Sequence, residues 1–225
     1  MKRYLWALAA FAVIGLLAAT GATAGDWFNW GSGVKGSGDI VTETRDIENF
    51  ERISSSGSFD IFVTVGPDVS LEIEFDDNLI ELVETEVHGG TLHIDSRKSF
   101  RSRHNCNIRI TVPTLERIKI SGSGDAVVEQ VTGKVFECKI AGSGDVRLEG
   151  EVDEVDISIA GSGDVDARRL KAKDVYATIS GSGDIDVYAS EYLDGRISGS
   201  GDIAYYGNPR RTNKSVAGSG DIRAR

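Results

Sequence analysis

The sequence contains few of the residues on which most catalytic and metal centres depend. Its 225 residues include two cysteines, three histidines and three prolines. Cys106 and Cys138 lack the CxxC spacing of a redox or metal site, and His88 and His93 have no committed third ligand. The Gly-x-Ser-x-Gly motif of serine hydrolases is also missing. The composition therefore argues against cysteine, zinc and serine chemistry, and no cofactor is expected.

A long apolar run is absent except at the N-terminus. Lys2 and Arg3 precede an apolar stretch over residues 5–19, and Ala22 and Ala24 supply the small residues that a signal peptidase reads. Because the run is short for a membrane span, we predict a cleaved signal peptide over residues 1–24, with an uncleaved anchor as the alternative. The remaining chain is expected to be exported, to the periplasm or to the cell surface at the outer membrane, without a membrane span.

Positive charge is scarce as well. The chain has 25 Lys and Arg residues against 35 Asp and Glu, for a net charge of −10. Loss of Lys2 and Arg3 with the signal peptide leaves 23 basic residues and a net charge of −12. This excess of acidic residues argues against nucleic acid and anionic lipid as partners.

Glycine, in contrast, is abundant, with 27 residues, many of them in one repeated motif. Gly-Ser-Gly-Asp recurs at steps of 20, 19, 20, 18 and 19 residues in the second half of the chain, and its aspartates are Asp125, Asp145, Asp164, Asp184, Asp202 and Asp221. An outlying copy ends at Asp39, and a degenerate copy covers residues 57–60. Self-similarity at such a period indicates a stack of supersecondary units.

Apolar columns flank the motif on both sides. Two residues before its first glycine stand Ile120, Ile140, Ile159, Ile179, Ile197 and Val216, and directly after its aspartate stand Ala126, Val146, Val165, Ile185, Ile203 and Ile222. We therefore predict an all-β fold, a parallel β-helix or β-solenoid with about 19 residues per coil and coils about 4.8 Å apart. The chirality of parallel connections favours the right-handed form. The motif is then the corner of each coil, where glycine permits positive φ and the Ser and Asp side chains bond turn amides.

Three regions are expected after the signal peptide. Residues 25–38 form a Gly-rich leader with Trp27, Phe28 and Trp30, which we expect to fold over the end of the stack; a partner-docking handle is the alternative. One β-solenoid domain covers residues 39–225. Within it, residues 39–115 form a less regular β part, and residues 116–225 form the repeat coils.

An ordered set of short motifs connects the chain to a known family. It consists of FERI at residues 50–53, GSFDI at 57–61, DNL at 77–79, GTLHI at 90–94 and VPTL at 112–115, followed by the Gly-Ser-Gly-Asp series. With these motifs the chain resembles the exported bacterial head GIN domain family, also called auto-transporter adhesins, over about residues 36–223. The resemblance implies an all-β, solenoid-like fold and a cell-envelope or surface setting, and it implies no catalytic residues.

The motif aspartates and the cysteines each allow two interpretations. Six stacked carboxylates would repel one another, and either hydrogen bonds from turn amides or weakly bound cations would relieve that repulsion. The weak cation-ladder candidates are therefore Asp125, Asp145, Asp164, Asp184, Asp202 and Asp221, and no specific metal site is predicted. Cys106 and Cys138 are either two buried thiols or, in an oxidising compartment, a disulfide.

The functional hypothesis is a non-enzymatic, adhesin-like binding or scaffolding module of the cell envelope. Tyr188, Tyr192, Tyr205 and Tyr206 cluster near the last coils. They are the candidate binding residues for a carbohydrate or an envelope protein, although they also suit a cover for the end of the core.

Two alternative functions stay open. An uncapped solenoid end is an exposed sheet edge, so the chain is also interpreted as a structural protein that forms homo-oligomers through its ends. The other alternative is a β-helix enzyme that processes glycans. Its candidate residues would be Asp166, Arg168, Arg169 and Lys171, or Arg147 with Glu149.

Overall fold

β-Strands account for 70% of the structure, a computed structural model that describes residues 33–225. A 3-10 turn at Ile80–Leu82 is the one helical element in that range, and no helix in it has the length and hydropathy needed to cross a membrane. The predicted signal peptide and the three aromatic residues of the leader lie outside the described residues.

The N-terminal part consists of short strands. Along strands such as residues 59–65, side chains point alternately to the inside and to the outside of the molecule. The bounds of the strands are β1 Val34–Lys35, β2 Ile40–Arg45, β3 Arg52–Gly57, β4 Phe59–Val65, β5 Ser70–Asp76, β6 Val83–His88, β7 Thr91–Ser96, β8 Phe100–Arg101 and β9 Cys106–Val112. In β4, Ile61, Val63 and Val65 are buried, as the period of two predicts.

The repeat part contains four strands of 15–17 residues, each of which runs from one motif to the next, with shorter strands before and after them. Their bounds are β10 Arg117–Gly122, β11 Ala126–Gly142, β12 Val146–Gly161, β13 Val165–Gly181, β14 Ile185–Gly199, β15 Ile203–Gly207, β16 Arg211–Gly218 and β17 Ile222–Ala224. Neighbouring strands pair in parallel. The result is a β-solenoid of about five turns with roughly 20 residues per turn, which confirms the predicted fold class.

Strand register places the predicted apolar columns inside the stack. Ile140 pairs with Ile120 on one side and with Ile159 on the other, and all three are buried. Val216 continues the column in the last coil but is 43% exposed, since no further described coil covers it.

Antiparallel strands cover the N-terminal end of the stack. On one side β9 pairs with β4 in parallel and then with β5 antiparallel, and β2 pairs antiparallel with β5. On the other side β7 pairs with β3 in parallel and with β6 antiparallel. The regular parallel stack is thereby closed at this end by meandering strands of the less regular part.

Successive corners approach each other more closely than any side chain allows. A Cβ atom on Gly144 would lie far inside van der Waals contact of the Gly124 carbonyl oxygen one coil before, and a Cβ on Gly142 would meet the Gly122 carbonyl in the same way. Gly142 also has a φ of +148°, a conformation that L side chains rarely adopt. Both glycines of the motif are therefore needed for the coils to reach sheet spacing.

Replacement of Gly144 with alanine should strongly destabilise the solenoid. The new methyl group forces two backbones apart, and we expect a loss of about 3 kcal/mol in the free energy of unfolding, or a fall in Tm of roughly 6–12 °C. Gly66→Ala is the matched control, because its Cβ would sit at an ordinary 3.4 Å from Thr111 Cγ2. Thermal unfolding followed by circular dichroism compares the two variants. Equal Tm values would contradict the assigned role of the corner glycines.

Candidate functional site

The motif aspartates form a continuous hydrogen-bonded ladder. The carboxylate Oδ1 of each aspartate accepts the backbone N–H of the motif aspartate one coil further along. The N···O distances are 2.9 Å for Asp145 to Asp125, 2.9 Å for Asp164 to Asp145, 2.7 Å for Asp184 to Asp164, 2.7 Å for Asp202 to Asp184 and 2.9 Å for Asp221 to Asp202. The ladder begins in the degenerate copy, where Asp60 accepts from Asp125 at 3.3 Å.

The hydrogen bonds offset part of the repulsion between the stacked carboxylates. The amide that each carboxylate bonds belongs to the next coil, whereas the sequence suggested an amide of the same turn. The outlying copy stays out of the ladder, because its Asp39 N–H donates to Ser37 Oγ of the same copy at 3.2 Å, while Ser37 N–H donates to Asn78 Oδ1 at 2.9 Å. Within residues 33–225, no group of three or more His, Cys, Asp or Glu side chains is arranged to hold a metal ion. The hydrogen-bonded ladder connects each coil to the next, and weak cation binding by the same carboxylates stays a prediction.

Removal of one acceptor from the ladder should cost a measurable part of the stability. Asp145→Ala leaves the Asp164 amide without its carboxylate and is expected to lower the free energy of unfolding by about 1.5 kcal/mol. Asp145→Asn keeps an oxygen acceptor, and Asp221→Ala removes a carboxylate to which no later described aspartate donates. Both should remain within about 0.5 kcal/mol of wild type. Urea unfolding in EDTA measures all three. A loss in Asp145→Asn as large as in Asp145→Ala would show that charge, not the acceptor, matters.

The two cysteines are separate buried thiols. Cys106 and Cys138 are both free and buried, so the disulfide alternative is not realised in the structure. Cys138 lies in register with Ile118 and Ile157 on an inward column. Burial raises the pKa of each thiol to about 12, which keeps both neutral and makes them small apolar core residues.

The four candidate tyrosines lie on different surfaces. Tyr188 and Tyr206 pair in register on adjacent coils and line one open cleft of about 770 Å³. Tyr205 packs against the core, with Lys214 Nζ donating to its hydroxyl at 2.9 Å. Tyr192 packs edge-on against Tyr176 with ring centroids 5.9 Å apart. Only two of the four are therefore brought together.

The cleft is lined by four of the six charged residues that the sequence analysis gave as candidates for a glycan-processing enzyme. We call it the Arg–Tyr cleft; it is lined by Arg147, Asp166, Arg168, Arg169, Tyr188, Tyr206 and Gly207. Lys171 is not among these residues, and Glu149 lies beside the cleft with its Oε2 3.4 Å from Arg169 Nη1. Arg147 is on β12, Arg168 on β13, Tyr188 on β14 and Tyr206 on β15. The cleft thus runs along the stack over four coils, about 14 Å at sheet spacing.

One arginine of the cleft contacts two carboxylates. Arg168 donates from Nε and Nη2 to the two oxygens of Asp166 at 2.8 and 2.6 Å, and its Nε lies 3.7 Å from Asp186 Oδ2. The hydrogen bond from Arg168 holds the pKa of Asp166 below its usual range. Desolvation raises the pKa of Asp186, although Arg168 opposes the rise.

The other two arginines are largely free. Arg147 Nε lies 3.9 Å from Asp166 Oδ2 with 63% of its side chain exposed, and Arg169 is 76% exposed beside Glu149. Both guanidinium groups therefore retain donors that are available to a ligand.

The sequence interpretation missed that these arginines and tyrosines share one surface. A usable signal was present, since Arg168, Tyr188 and Tyr206 each stand four residues after a motif aspartate. Residues at the same distance from a corner occupy equivalent places on successive coils. Grouping the tyrosines by closeness in sequence instead joined Tyr205 and Tyr206, which face opposite sides of a strand.

A charged side chain occupies an inward position at the C-terminal end. Lys214 pairs with Gly195 and extends the inward column of Ile157 and Ala177. Its Nζ lies 4.5 Å from the centre of the Tyr205 ring and donates to the Ile222 carbonyl oxygen at 3.1 Å. An inward charge on a terminal strand is a common protection against edge-to-edge pairing.

Comparison with known proteins agrees with the fold and the motifs. A family model described as "Putative auto-transporter adhesin, head GIN domain" matches residues 49–209. The chain belongs to the head GIN domain family. A search of the curated proteins finds no match.

Solved structures of similar proteins share the solenoid of this head GIN domain protein. A "putative adhesin" from Bacteroides fragilis NCTC 9343 is 27% identical with a TM-score of 0.71, and the match covers 86% of this chain and 100% of that one. A "putative lipid binding protein" from Parabacteroides distasonis ATCC 8503 is 27% identical with a TM-score of 0.54, covering 85% and 99%. A "putative adhesin" from the same organism, at 22% identity and a TM-score of 0.55 over 85% and 99%, shows the same fold.

Proposed function

We propose that this protein is an exported, non-enzymatic, adhesin-like module of the bacterial cell envelope, and that it binds carbohydrate in the Arg–Tyr cleft. Family membership and the predicted signal peptide support the setting. The observation that carries the binding proposal is the pairing of Tyr188 and Tyr206 on adjacent coils above a row of arginines. Recovery of a chain that begins at Gly25 from the periplasmic or surface fraction tests export; a cytoplasmic chain that retains residues 1–24 would contradict it.

The chemistry of the cleft suits sugars. The face of a tyrosine ring is electron-rich and apolar, so it contacts the C–H side of a pyranose, and its hydroxyl remains available for hydrogen bonding. Arg147 and Arg169 supply several donors for sugar oxygens. A cleft of about 770 Å³ lies within the size range of ligand sites, and its course along the stack fits a linear chain.

The carboxylates near the cleft are poorly arranged for glycoside hydrolysis. Asp166 is held ionised by Arg168 with both its oxygens hydrogen-bonded, so it has no proton to donate to a leaving group. Asp186 has a raised pKa, yet the same arginine lies between it and Asp166. Hydrolysis needs two carboxylates free to act on opposite sides of one bond. This arrangement supports binding over catalysis.

The C-terminal end gives little support to self-association through stacked ends. A second chain stacked on β16 would bury Lys214 between the two chains, and desolvation of its ammonium group is costly. The N-terminal end carries antiparallel strands that do not continue the parallel stack. Both features favour a module that does not stack end to end.

Loss of the tyrosine pair should weaken carbohydrate binding. Tyr188→Ala together with Tyr206→Ala is expected to weaken binding to polysaccharides at least about tenfold, because aromatic anchors dominate such contacts. Tyr176→Ala together with Tyr192→Ala is the matched control, since this pair lies outside the cleft. Affinity electrophoresis in gels that contain each polysaccharide compares the variants with wild type.

Two outcomes would contradict the proposal. Equal losses in both double variants would show that the cleft is not the binding surface. Release of reducing sugar ends by the wild-type protein, lost in Asp186→Asn, would show that the module is an enzyme.

A further inference from the structure

The guanidinium groups of the Arg–Tyr cleft differ in what they already bind. Arg168 is held by the two oxygens of Asp166 and is close to Asp186. Arg147 has one long contact at 3.9 Å, and Arg169 has one contact at 3.4 Å with Glu149. The two exposed arginines are therefore the groups that a ligand can engage.

We infer that the cleft selects acidic polysaccharides, with a sugar carboxylate or sulfate bound by Arg147 and Arg169 and a neighbouring sugar ring resting on Tyr188 and Tyr206. The inference rests on the proposed carbohydrate-binding function and adds the class of ligand. Arginine binds a planar carboxylate, or two oxygens of a tetrahedral sulfate, with two parallel hydrogen bonds. A neutral sugar hydroxyl lacks the negative charge that strengthens these hydrogen bonds.

The order of the residues along the stack gives the site a direction. Arg147 lies on β12 and Arg169 on β13, whereas Tyr188 and Tyr206 lie on β14 and β15. The cationic end and the aromatic end are thus about two coils apart, roughly 10 Å. Two units of one linear chain can occupy both ends simultaneously.

Glu149 competes with the ligand in this arrangement. Its carboxylate stands in register with Arg169 on the neighbouring coil and contacts it at 3.4 Å. Both side chains are exposed, so the ion pair is weak and exchangeable. An acidic sugar has to displace Glu149, and removal of its charge should therefore strengthen binding. A cleft that binds only neutral sugars would not show this gain.

The test compares polysaccharides that differ only in charge. Polygalacturonate is paired with its carboxyl-reduced form, and dextran sulfate with dextran, so that carboxylate and sulfate are distinguished. Wild-type protein immobilised on a sensor is expected to bind each acidic polymer at least about tenfold more tightly than its neutral partner, as hydrogen bonds between charged groups predict. Binding should weaken as sodium chloride is raised.

Three variants test which residues cause the preference for acidic polymers. Arg147→Gln with Arg169→Gln should reduce binding of the acidic polymers to that of the neutral ones, whereas Glu149→Gln should increase it about threefold, as expected for loss of an exposed competing ion pair. Arg97→Gln with Arg117→Gln makes the same change in net charge outside the cleft and should leave the preference intact.

The outcomes distinguish failure of the acidic preference from failure of the proposed carbohydrate-binding function. Equal binding of charged and neutral polymers by wild type, or an equal effect of the two arginine double variants, overturns the acidic preference and leaves the proposed function in place. Weaker binding by Glu149→Gln also overturns the preference. If no polymer binds at all, the proposed function and this inference both fail.

Discussion

The close approach of backbones at each Gly-Ser-Gly-Asp corner is the constraint on which the other features depend. At Gly144 the backbone of the preceding coil occupies the place of a Cβ atom, so that only glycine lets the coils come within sheet spacing. At that distance the carboxylate of Asp145 reaches the amide of Asp164 at 2.9 Å. The glycines set the separation of the coils, and the aspartates lock their register.

Register at the corner decides what lies inside and outside along each coil. Because side chains alternate between the two faces of a strand, positions such as Ile140 and Ile159 form inward columns. Outward positions at a fixed distance from the corner form rows in the same way. The Arg–Tyr cleft is such a set of rows, and Arg168 and Tyr206 meet there although 38 positions separate them in the sequence. The motif itself contributes no side chain to the cleft.

The repeat coils could be predicted because their signals are local and repeated. Regular spacing and β-branched residues such as Ile120 and Ile179 define both the coil length and its inward face. The N-terminal part could not be predicted in this way, because its pairing is distant. In the intact motif that ends at Asp39, Ser37 bonds to Asn78. The degenerate motif that ends at Asp60 instead begins the ladder, through a hydrogen bond with Asp125, 65 residues further along the chain. Identity of a motif does not reveal which coil it stacks on.

Hydrogen exchange at the amides of the motif aspartates tests the central claim most directly. The account predicts that the N–H groups of Asp145, Asp164, Asp184 and Asp202 exchange as slowly as those of the core strands, although the first three residues are exposed and Asp202 is only half-buried. The Asp125 amide, with its longer 3.3 Å bond, should exchange faster than these four. Exchange of all five at the rate of open loop amides would contradict the account.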